Sequence, residues 1–141
     1  MRAKVLLDTD ILSEVMKGKD PVVVEHARRY LADAGRLTFS AMSVMEIVAG
    51  YSRQRSEEKL RRFVHMASRS DVVPFETVVA ELAGRIHADL VRMGMNIGVP
   101  DTAIAATAIH AGVPLVTGNT SDYARVRDAG YPLQLQNWRD R

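Results

Sequence analysis

The chain has 141 residues, 47% of them hydrophobic and 26% charged, a composition typical of a soluble globular protein with one domain. It contains no cysteine, which excludes a disulfide framework, a thiolate metal site and a cysteine nucleophile, and fits a cytoplasmic location. No signal peptide and no apolar run of about 18 residues is present, so no membrane association is expected, and 19 basic against 17 acidic residues do not by themselves indicate nucleic-acid binding.

The first predicted element is a strand that ends at a carboxylate. Residues 5–7 form an apolar run without polar alternation, which is typical of a strand buried on both faces. Asp8 follows directly, and residues 11–16 then have helical spacing. In open α/β folds ligands bind at the carboxyl edge of the sheet, so Asp8 is predicted to lie where ligands bind.

Helices and strands alternate along the rest of the chain. The predicted helices cover residues 11–16, 21–34, 43–51, 56–68, 78–93, 101–111 and 121–129, and the predicted strands cover residues 5–7, 37–40, 71–75, 114–117 and 133–135. There is no internal repeat, low-complexity tract or linker. This alternation predicts a single α/β domain over residues 1–141, with a parallel sheet covered by helices on both faces.

Acidic residues recur close to the predicted strands. The four that we single out are Asp8, Glu46, Asp101 and Asp122. Three of them follow a predicted strand within one loop or one turn, and Asp101 opens the helix that leads into the next strand. The placement of the four residues, rather than any one of them, therefore predicts a cluster of carboxylates at one edge of the sheet.

Each of these acids also has a structural interpretation. Asp101 could be the N-cap of the sixth helix, and Asp122 another cap or a solvated charge. Glu46 lies three residues after Ser43, which is the spacing of a capping box. Asp10 suits the first turn of a helix, where the helix dipole favours an acid.

Four carboxylates in one place repel one another unless a positive charge compensates them. A hard divalent cation such as Mg²⁺ takes oxygen ligands from one or two carboxylates and keeps waters for a phosphate-bearing substrate. The corresponding chemistry is activation of water and stabilisation of an in-line phosphoryl transition state, by one metal ion or two. The four histidines fall in predicted helices without ligand spacing and are interpreted as surface or core residues: His26, His65, His87 and His110.

Several motifs occur in a specific order. They comprise residues 5–14, residues 39–41 with Glu46 and Gly50, residues 101–108, residues 115–119 with Asp122 and Tyr123, and the ending Asn137-Trp138. Each motif alone is weak, but the ordered set spans nearly the whole chain. This set resembles the PIN domain, and more closely the VapC-type toxins of bacterial and archaeal toxin–antitoxin pairs.

The resemblance implies a fold, an activity and a set of partners. It implies a three-layer α/β/α fold with a five-stranded parallel sheet in the order 3-2-1-4-5, and a metal-dependent endoribonuclease that acts as the toxin of a type II pair. It implies RNA as substrate, a cognate VapB-type antitoxin as partner, and a homodimer that forms a higher assembly with the antitoxin. By position it makes Asp8, Glu46, Asp101 and Asp122 the catalytic and metal-binding acids, for Mg²⁺ with Mn²⁺ able to substitute. It makes Thr9, Thr117 and Asn119 the polar supports beside them.

The chain departs from the family pattern at two positions. Asp10 stands where the family more often has asparagine, which adds negative charge near the implied site. Gly118 stands where the family often has a basic residue, and its absence would weaken a phosphate contact.

Residues 53–69 carry six basic residues against Glu57 and Glu58, a local charge of +4. The basic residues are Arg53, Arg55, Lys59, Arg61, Arg62 and Arg69. A solvated pair of amphipathic helices explains this stretch as well as an RNA-guiding surface does. The resemblance adds a third interpretation, in which the antitoxin docks around these helices.

Two other functions are compatible with parts of the sequence. Asp8-Thr9-Asp10 after an apolar strand resembles the first motif of haloacid-dehalogenase-type phosphatases, but no lysine follows Thr117 as those enzymes require. A degenerate PIN-like scaffold that binds RNA or protein without catalysis is the other alternative. The complete set of four acids argues against it.

Overall fold

The computed structural model describes residues 4–141, so the first three residues of the predicted domain lie outside the described part. The strands are β1 (Leu6–Leu7), β2 (Thr38–Ser40), β3 (Asp71–Val73), β4 (Leu115–Val116) and β5 (Leu135–Gln136). The helices are α1 (Thr9–Lys17), α2 (Pro21–Ala34), α3 (Ala41–Arg53), α4 (Glu57–Ser68), α5 (Thr77–Arg92), α6 (Val99–Ala111) and α7 (Thr120–Asp128). Within residues 4–141 no helix is both long enough and apolar enough to cross a membrane.

The five strands form one parallel sheet in the order β3-β2-β1-β4-β5, which confirms the predicted order. Leu7 of β1 lies opposite Phe39 of β2 on one side and opposite Val116 of β4 on the other. The chain moves outward from β1 to β2 and β3, and then returns to place β4 and β5 on the other side. The carboxyl end of β1 therefore lies at the point where the strand order reverses, which is where open α/β sheets bind ligands.

Helices cover both faces of the sheet, so the predicted three layers are confirmed. Successive residues of a strand point to opposite faces. Leu6 accordingly belongs to one buried cluster with residues of α5, α6 and α7, whereas Leu7 belongs to a second cluster with residues of α1, α2, α3 and α4. Both leucines are fully buried, which is why this strand has no polar alternation.

Helix α6 is buried on all sides over residues 102–108. These residues are alanine, threonine and one isoleucine, and their small volume lets α6 pack closely between its neighbours in the cluster that contains Leu6. Because the chain continues from α6 into the start of β4, the first turn of α6 lies at the carboxyl edge of the sheet. This geometry brings Asp101 to the same edge as Asp8.

Two helices that follow strands begin earlier than the sequence predicts. Helix α1 begins directly at Thr9, with Asp8 as its N-cap accepting the Thr9 N–H at 2.8 Å. Helix α3 begins at Ala41, because the Oγ of Ser40 accepts the Ser43 N–H at 3.3 Å and serves as the N-cap. Asp8 directly follows β1 and Ser40 is the last residue of β2, so at both places the chain passes from strand to helix without a loop.

Helix α6 and strand β5 also differ from their predicted bounds. Helix α6 begins at Val99 rather than at Asp101, because Pro100 suits the first turn of a helix and Gly98 adopts a positive φ of 94° before it. Strand β5 covers Leu135–Gln136, one residue later than the predicted end of residues 133–135. Asp101 is thus inside the first helical turn, and its interpretation as the N-cap is wrong.

Candidate active site

Asp8 is the buried centre of the candidate site, with 5% of its surface exposed. Its Oδ2 accepts a hydrogen bond from the Thr117 hydroxyl at 2.8 Å, and its Oδ1 accepts one from the Tyr123 hydroxyl at 3.1 Å. Burial is the main cause that raises the pKa of Asp8 to about 7, and the charge of Asp10 raises it further. The hydrogen bonds lower the pKa but only partly offset the effect of burial, so a bound cation would stabilise the charged form of Asp8.

Asp101 faces the same network from the first turn of α6. Its pKa is raised, mainly by partial burial and then by the charges of neighbouring acids, whereas the hydrogen bond of Tyr123 lowers it. The acids whose charges act on it are Glu46, Asp122 and Asp10, and its own charge acts in turn on Asp8. Asp101 is therefore within electrostatic range of the other three acids singled out in the sequence, namely Asp8, Glu46 and Asp122.

Tyr123 is a site residue that the sequence analysis did not identify. It is fully buried in α7, its hydroxyl donates to Asp8 Oδ1 at 3.1 Å, and it lies close enough to Asp101 to lower the pKa of that acid. Burial and the charges of these two acids raise the pKa of Tyr123 far above its ordinary value, so the hydroxyl stays protonated and donates. The sequence offered one indication: α7 is otherwise polar, and Tyr123 and Val126 are its buried positions.

Glu46 lies in the second turn of α3 and is half-buried. Its Oε1 accepts a hydrogen bond from the Thr9 hydroxyl at 2.7 Å, and the same hydroxyl lies 2.8 Å from the Ser43 hydroxyl. The capping-box interpretation of Glu46 is wrong, because Ser43 is inside α3 and Ser40 is the N-cap. Thr9 instead holds Glu46 towards the start of α1, next to Asp8.

Asp122 lies in the first turn of α7, with 38% of its side chain exposed. Asn119 donates its side-chain amide to Asp122 Oδ2 at 2.9 Å, and its backbone N–H to the Thr117 hydroxyl at 3.0 Å. Arg125 approaches Asp122 at 3.8 Å. Thr117 and Asn119 thus form a chain of hydrogen bonds from buried Asp8 to half-buried Asp122.

Asp10 lies in the first turn of α1, as predicted. Its Oδ1 accepts the Ile11 N–H at 2.7 Å and its Oδ2 accepts the Gly118 N–H at 2.9 Å, which ties α1 to the loop after β4. Its charge raises the pKa of both Asp8 and Asp101. Asp10 is therefore an electrostatic member of the site.

We call the carboxyl edge of the sheet with its five acids the acidic edge; the acids are Asp8, Asp10, Glu46, Asp101 and Asp122. Their carboxylates offer only oxygen as ligand atoms, which suits a hard divalent cation. Over residues 4–141 no three or more acidic or histidine side chains are placed closely enough to enclose a metal ion as they stand. Mg²⁺ fits such a site, since it takes one or two carboxylates and retains water on its remaining positions. Asp8 and Asp101, whose pKa values are raised first by burial and then by neighbouring acids, are the residues that a bound cation would stabilise most.

Two basic residues of the predicted stretch, Lys59 and Arg62, line a surface groove on the side of the sheet that α1 to α4 cover. We call this the basic groove, and the residues that line it are Met16, Lys17, Lys19, Tyr51, Gln54, Lys59 and Arg62. Four of these seven residues are cationic and none is acidic, so the groove suits an anionic ligand. Of the stretch itself, Arg62 forms an exposed ion pair with Glu58 at 2.9 Å on the surface of α4.

Comparisons with known proteins agree with this geometry. Residues 5–129 match the PIN domain family. The chain is 33% identical to the tRNA(fMet)-specific endonuclease VapC of Shigella flexneri, over 96% of this chain and 98% of that protein. It is 29% identical to the ribonuclease VapC2 of Haemophilus influenzae, over 96% and 98%.

Solved structures show the same fold. The VapBC complex of Salmonella typhimurium bound to DNA matches with a TM-score of 0.82 and 27% identity, over 97% of this chain and 99% of that chain. VapBC-1 of nontypeable Haemophilus influenzae matches with a TM-score of 0.79 and 26% identity, over 96% and 98%. Because the PIN-domain family matches most of the chain, and because a VapC is 33% identical to it over nearly the full length of both proteins, the chain belongs to the PIN-domain family, in its VapC group.

Proposed function

We propose that this protein is a metal-dependent endoribonuclease and the toxin of a VapBC-type toxin–antitoxin pair. The observation that carries the proposal is the buried Asp8 at the end of β1, which accepts a hydrogen bond from the Tyr123 hydroxyl and lies within electrostatic range of Asp10 and Asp101. Its VapC relatives are named as endonucleases and ribonucleases. Membership of this family leaves no support for the haloacid-dehalogenase alternative.

The proposed site consists of Asp8, Glu46, Asp101 and Asp122, which would hold Mg²⁺, or Mn²⁺ in its place, directly or through water. The ion would supply the positive charge that activates a water and stabilises the in-line transition state of phosphodiester hydrolysis. The oxygen donors and the raised pKa values of Asp8 and Asp101 support this assignment.

The chain's own side chains fix the orientation of these acids. Thr117 and Tyr123 donate hydrogen bonds to the two oxygens of Asp8, and the Tyr123 hydroxyl also lies beside Asp101, whose pKa it lowers. Hydrogen-bond donors that contact a metal-binding carboxylate, as these two hydroxyl groups would, keep the carboxylate in one orientation.

The half-buried Glu46 is held in the same way. The hydrogen bond from Thr9 occupies its Oε1, which leaves Oε2 able to accept a hydrogen bond from a water at the site. Glu46 is therefore suited to orient that water and take up its proton.

The partner proposed for the chain is a VapB-type antitoxin, because the similar structures are VapBC complexes. We also propose that the toxin forms a homodimer. The basic groove supports an anionic occupant, either an acidic antitoxin segment or RNA. Protection of Lys59 and Lys19 from chemical modification, by RNA alone or by antitoxin alone, would distinguish these two occupants.

The activity is tested by incubating the purified chain with Mg²⁺ or Mn²⁺ and initiator tRNA. This RNA is the first choice because a relative is named for its specificity for it. Total cellular RNA serves as the second substrate, and mapping of the cleavage ends identifies the target. Cleavage that EDTA abolishes supports the proposal, whereas RNA binding without cleavage under all these conditions would favour the non-catalytic scaffold.

The toxin role is tested in a host cell. Expression of the chain alone should arrest growth, and co-expression of the cognate antitoxin should restore it. Unimpaired growth with abundant, folded protein would contradict the toxin role.

A further inference from the structure

The last residues of the chain are fixed against α2 and return to the acidic edge. Trp138 is buried and stacks on His26, with ring centroids 5.8 Å apart and an interplanar angle of 9°. It also packs against Tyr30 at 5.8 Å. Asn137 accepts the Arg139 N–H on its side chain at 3.0 Å and the Asp140 N–H on its carbonyl at 3.1 Å, which closes a turn. The backbone of Arg139 is therefore positioned by packing and by hydrogen bonds.

This turn places the Arg139 side chain over Gly118. Strand β5 runs beside β4, with the Thr117 N–H donating to the Gln136 carbonyl at 2.9 Å, so the turn begins next to the loop that contains Gly118. A Cβ on residue 118 would overlap Nη1 of Arg139 and would lie 2.9 Å from its Cζ. The absence of a side chain at Gly118 is thus what makes room for the guanidinium.

Arg139 has the neighbours and the free donors of a phosphate-binding residue. Its Nη1 lies 3.9 Å from Asp10 Oδ2 and its Nη2 lies 3.8 Å from Glu14 Oε1, which are ion pairs but too long for hydrogen bonds. With 41% of its side chain exposed, it can turn its planar N–H donors towards a ligand. Arg125, the other cation that contacts the acids, is by contrast engaged by the Asn96 carbonyl at 3.2 Å.

We propose that Arg139, held in the space above Gly118, binds a phosphate of the RNA beside the scissile bond and so positions the substrate against the acidic site. The reason is electrostatic: five acids meet at this edge, and a polyanion approaches them only where a fixed cation offsets their charge. A guanidinium binds phosphate with two parallel hydrogen bonds, which gives position as well as attraction. The family match ends at residue 129 and does not include Arg139. This inference rests on the proposed ribonuclease function.

The test is the salt dependence of RNA cleavage, with kcat and KM measured in Mg²⁺ over a series of KCl concentrations. Arg139→Gln should raise KM with little change in kcat, and should reduce the slope of log kcat/KM against log salt by about 0.7 to 0.9, the loss expected for one phosphate contact. Arg139→Lys should restore most of the slope, because it keeps the charge. Arg85→Gln is the matched control: Arg85 is an exposed arginine paired with Glu81 on α5, and lies by His110 at the far end of α6 from Asp101.

Gly118→Ala tests the geometry without touching a charge. The backbone of Gly118 does not have a positive φ, and the atoms that a methyl group would meet are ends of side chains, namely Arg139 and Asp10 Oδ2 at 2.8 Å. The variant should therefore fold, displace the guanidinium and reproduce the KM effect of Arg139→Gln. In the Arg139→Gln background it should add little to that effect.

The outcomes separate this inference from the proposed function. A wild-type protein that neither binds nor cleaves RNA overturns both. A wild type that cleaves RNA, together with an Arg139→Gln variant whose KM and salt slope match those of wild type and of Arg85→Gln, overturns the role of Arg139 alone. Full additivity of Gly118→Ala and Arg139→Gln also overturns it, since the two changes would then act independently.

Discussion

The acidic edge has an inner and an outer half that differ in how their charge is stabilised. The inner half consists of Asp8 and Asp101, whose pKa values are raised first by burial and then by the charges of neighbouring acids. The outer half consists of Asp10, Glu46 and Asp122, which receive hydrogen bonds from Gly118, Thr9 and Asn119. The inner acids thus lower the stability of the protein without a cation, whereas the outer acids are accommodated by the fold.

The difference indicates that the inner half is built for function at a cost to stability. A buried carboxylate with uncompensated charge is unfavourable for folding and is retained at sites that use it. The hydrogen bonds of the outer half serve orientation instead. Substitutions that remove one charge at a time can therefore distinguish the two halves.

The largest effect is expected for Asp8→Asn and Asp101→Asn. Asparagine keeps the shape of the side chain but loses the charge that binds the metal, so RNA cleavage should fall by at least about a hundredfold. In EDTA the melting temperature of Asp101→Asn should equal or exceed that of wild type, because a repelling charge has been removed. The melting temperature of Asp8→Asn should stay close to that of wild type, because the amide nitrogen cannot accept one of the hydrogen bonds that Asp8 receives. Full activity in either variant would contradict the proposed site. Lost activity with a large fall in melting temperature would show a structural role instead.

Glu46→Gln should have the next largest effect. Glutamine can still accept the hydrogen bond from Thr9, so stability should be close to that of wild type, while loss of the charge should lower the cleavage rate by about tenfold or more. Ser40→Ala is the converse control, since loss of the N-cap of α3 should cost about 1 kcal/mol with a smaller effect on catalysis per folded molecule. If Glu46→Gln cleaved RNA at the wild-type rate, Glu46 would have no part in catalysis, and the site would consist of the three aspartates alone.

The sequence predicted most of the fold because the fold depends on local patterns. The apolar run that contains Leu6 and Leu7 identified the central strand, and the alternation of strands and helices indicated a parallel sheet. Strand order came from the resemblance rather than from periodicity. Helix starts were less accurate: Ser40 and Ser43 are both acceptable caps, and only the position of the backbone at the end of β2 makes Ser40 the cap.

The candidate site was predicted in part for a similar reason. Acids that follow strands must meet at one edge once the sheet is parallel, so Asp8 and Asp122 could be grouped from their spacing. Tyr123 and Arg139 could not, because their roles depend on contacts between residues far apart in the chain: Tyr123 with Asp8, and Arg139 with Gly118. The sequence predicted a weakened phosphate contact at Gly118, yet the structure places a guanidinium over that glycine.

Protonation of Asp8, in the inner half of the site, should stabilise the metal-free protein. The pKa of Asp8 is about 7 in the folded state against an ordinary value of 3.8, so the folded state binds a proton that the unfolded state releases. The stability that this proton contributes is complete below about pH 3.8 and is lost as pH rises through about 7. In EDTA the melting temperature should therefore rise by a few degrees as pH falls from 8 to 5, measured against Asp8→Asn to remove the contribution of other groups.

Metal binding should follow the opposite trend, because the ligands must be ionised. Calorimetric titration at pH 8 and pH 6 should give weaker Mg²⁺ binding at the lower pH. Affinity that does not depend on pH would contradict a site based on Asp8.

The smallest effects are expected from removing one uncharged hydrogen-bond donor in each half. The variants are Tyr123→Phe for the inner half and Asn119→Ala for the outer half. Loss of the Tyr123 hydroxyl removes a bond that lowers the pKa of Asp101, so less of Asp101 is ionised and cleavage should fall several-fold, more at pH 6 than at pH 8. Loss of the Asn119 amide leaves the charge of partly exposed Asp122 hydrated, so cleavage should fall by only about twofold, equally at both pH values. The pH profiles of kcat/KM for the two variants are the measurement. If the Asn119 variant showed the larger loss or the stronger pH dependence, the orientation of Asp122 rather than the charge of the buried pair would limit the reaction, and the division into inner and outer halves would be wrong.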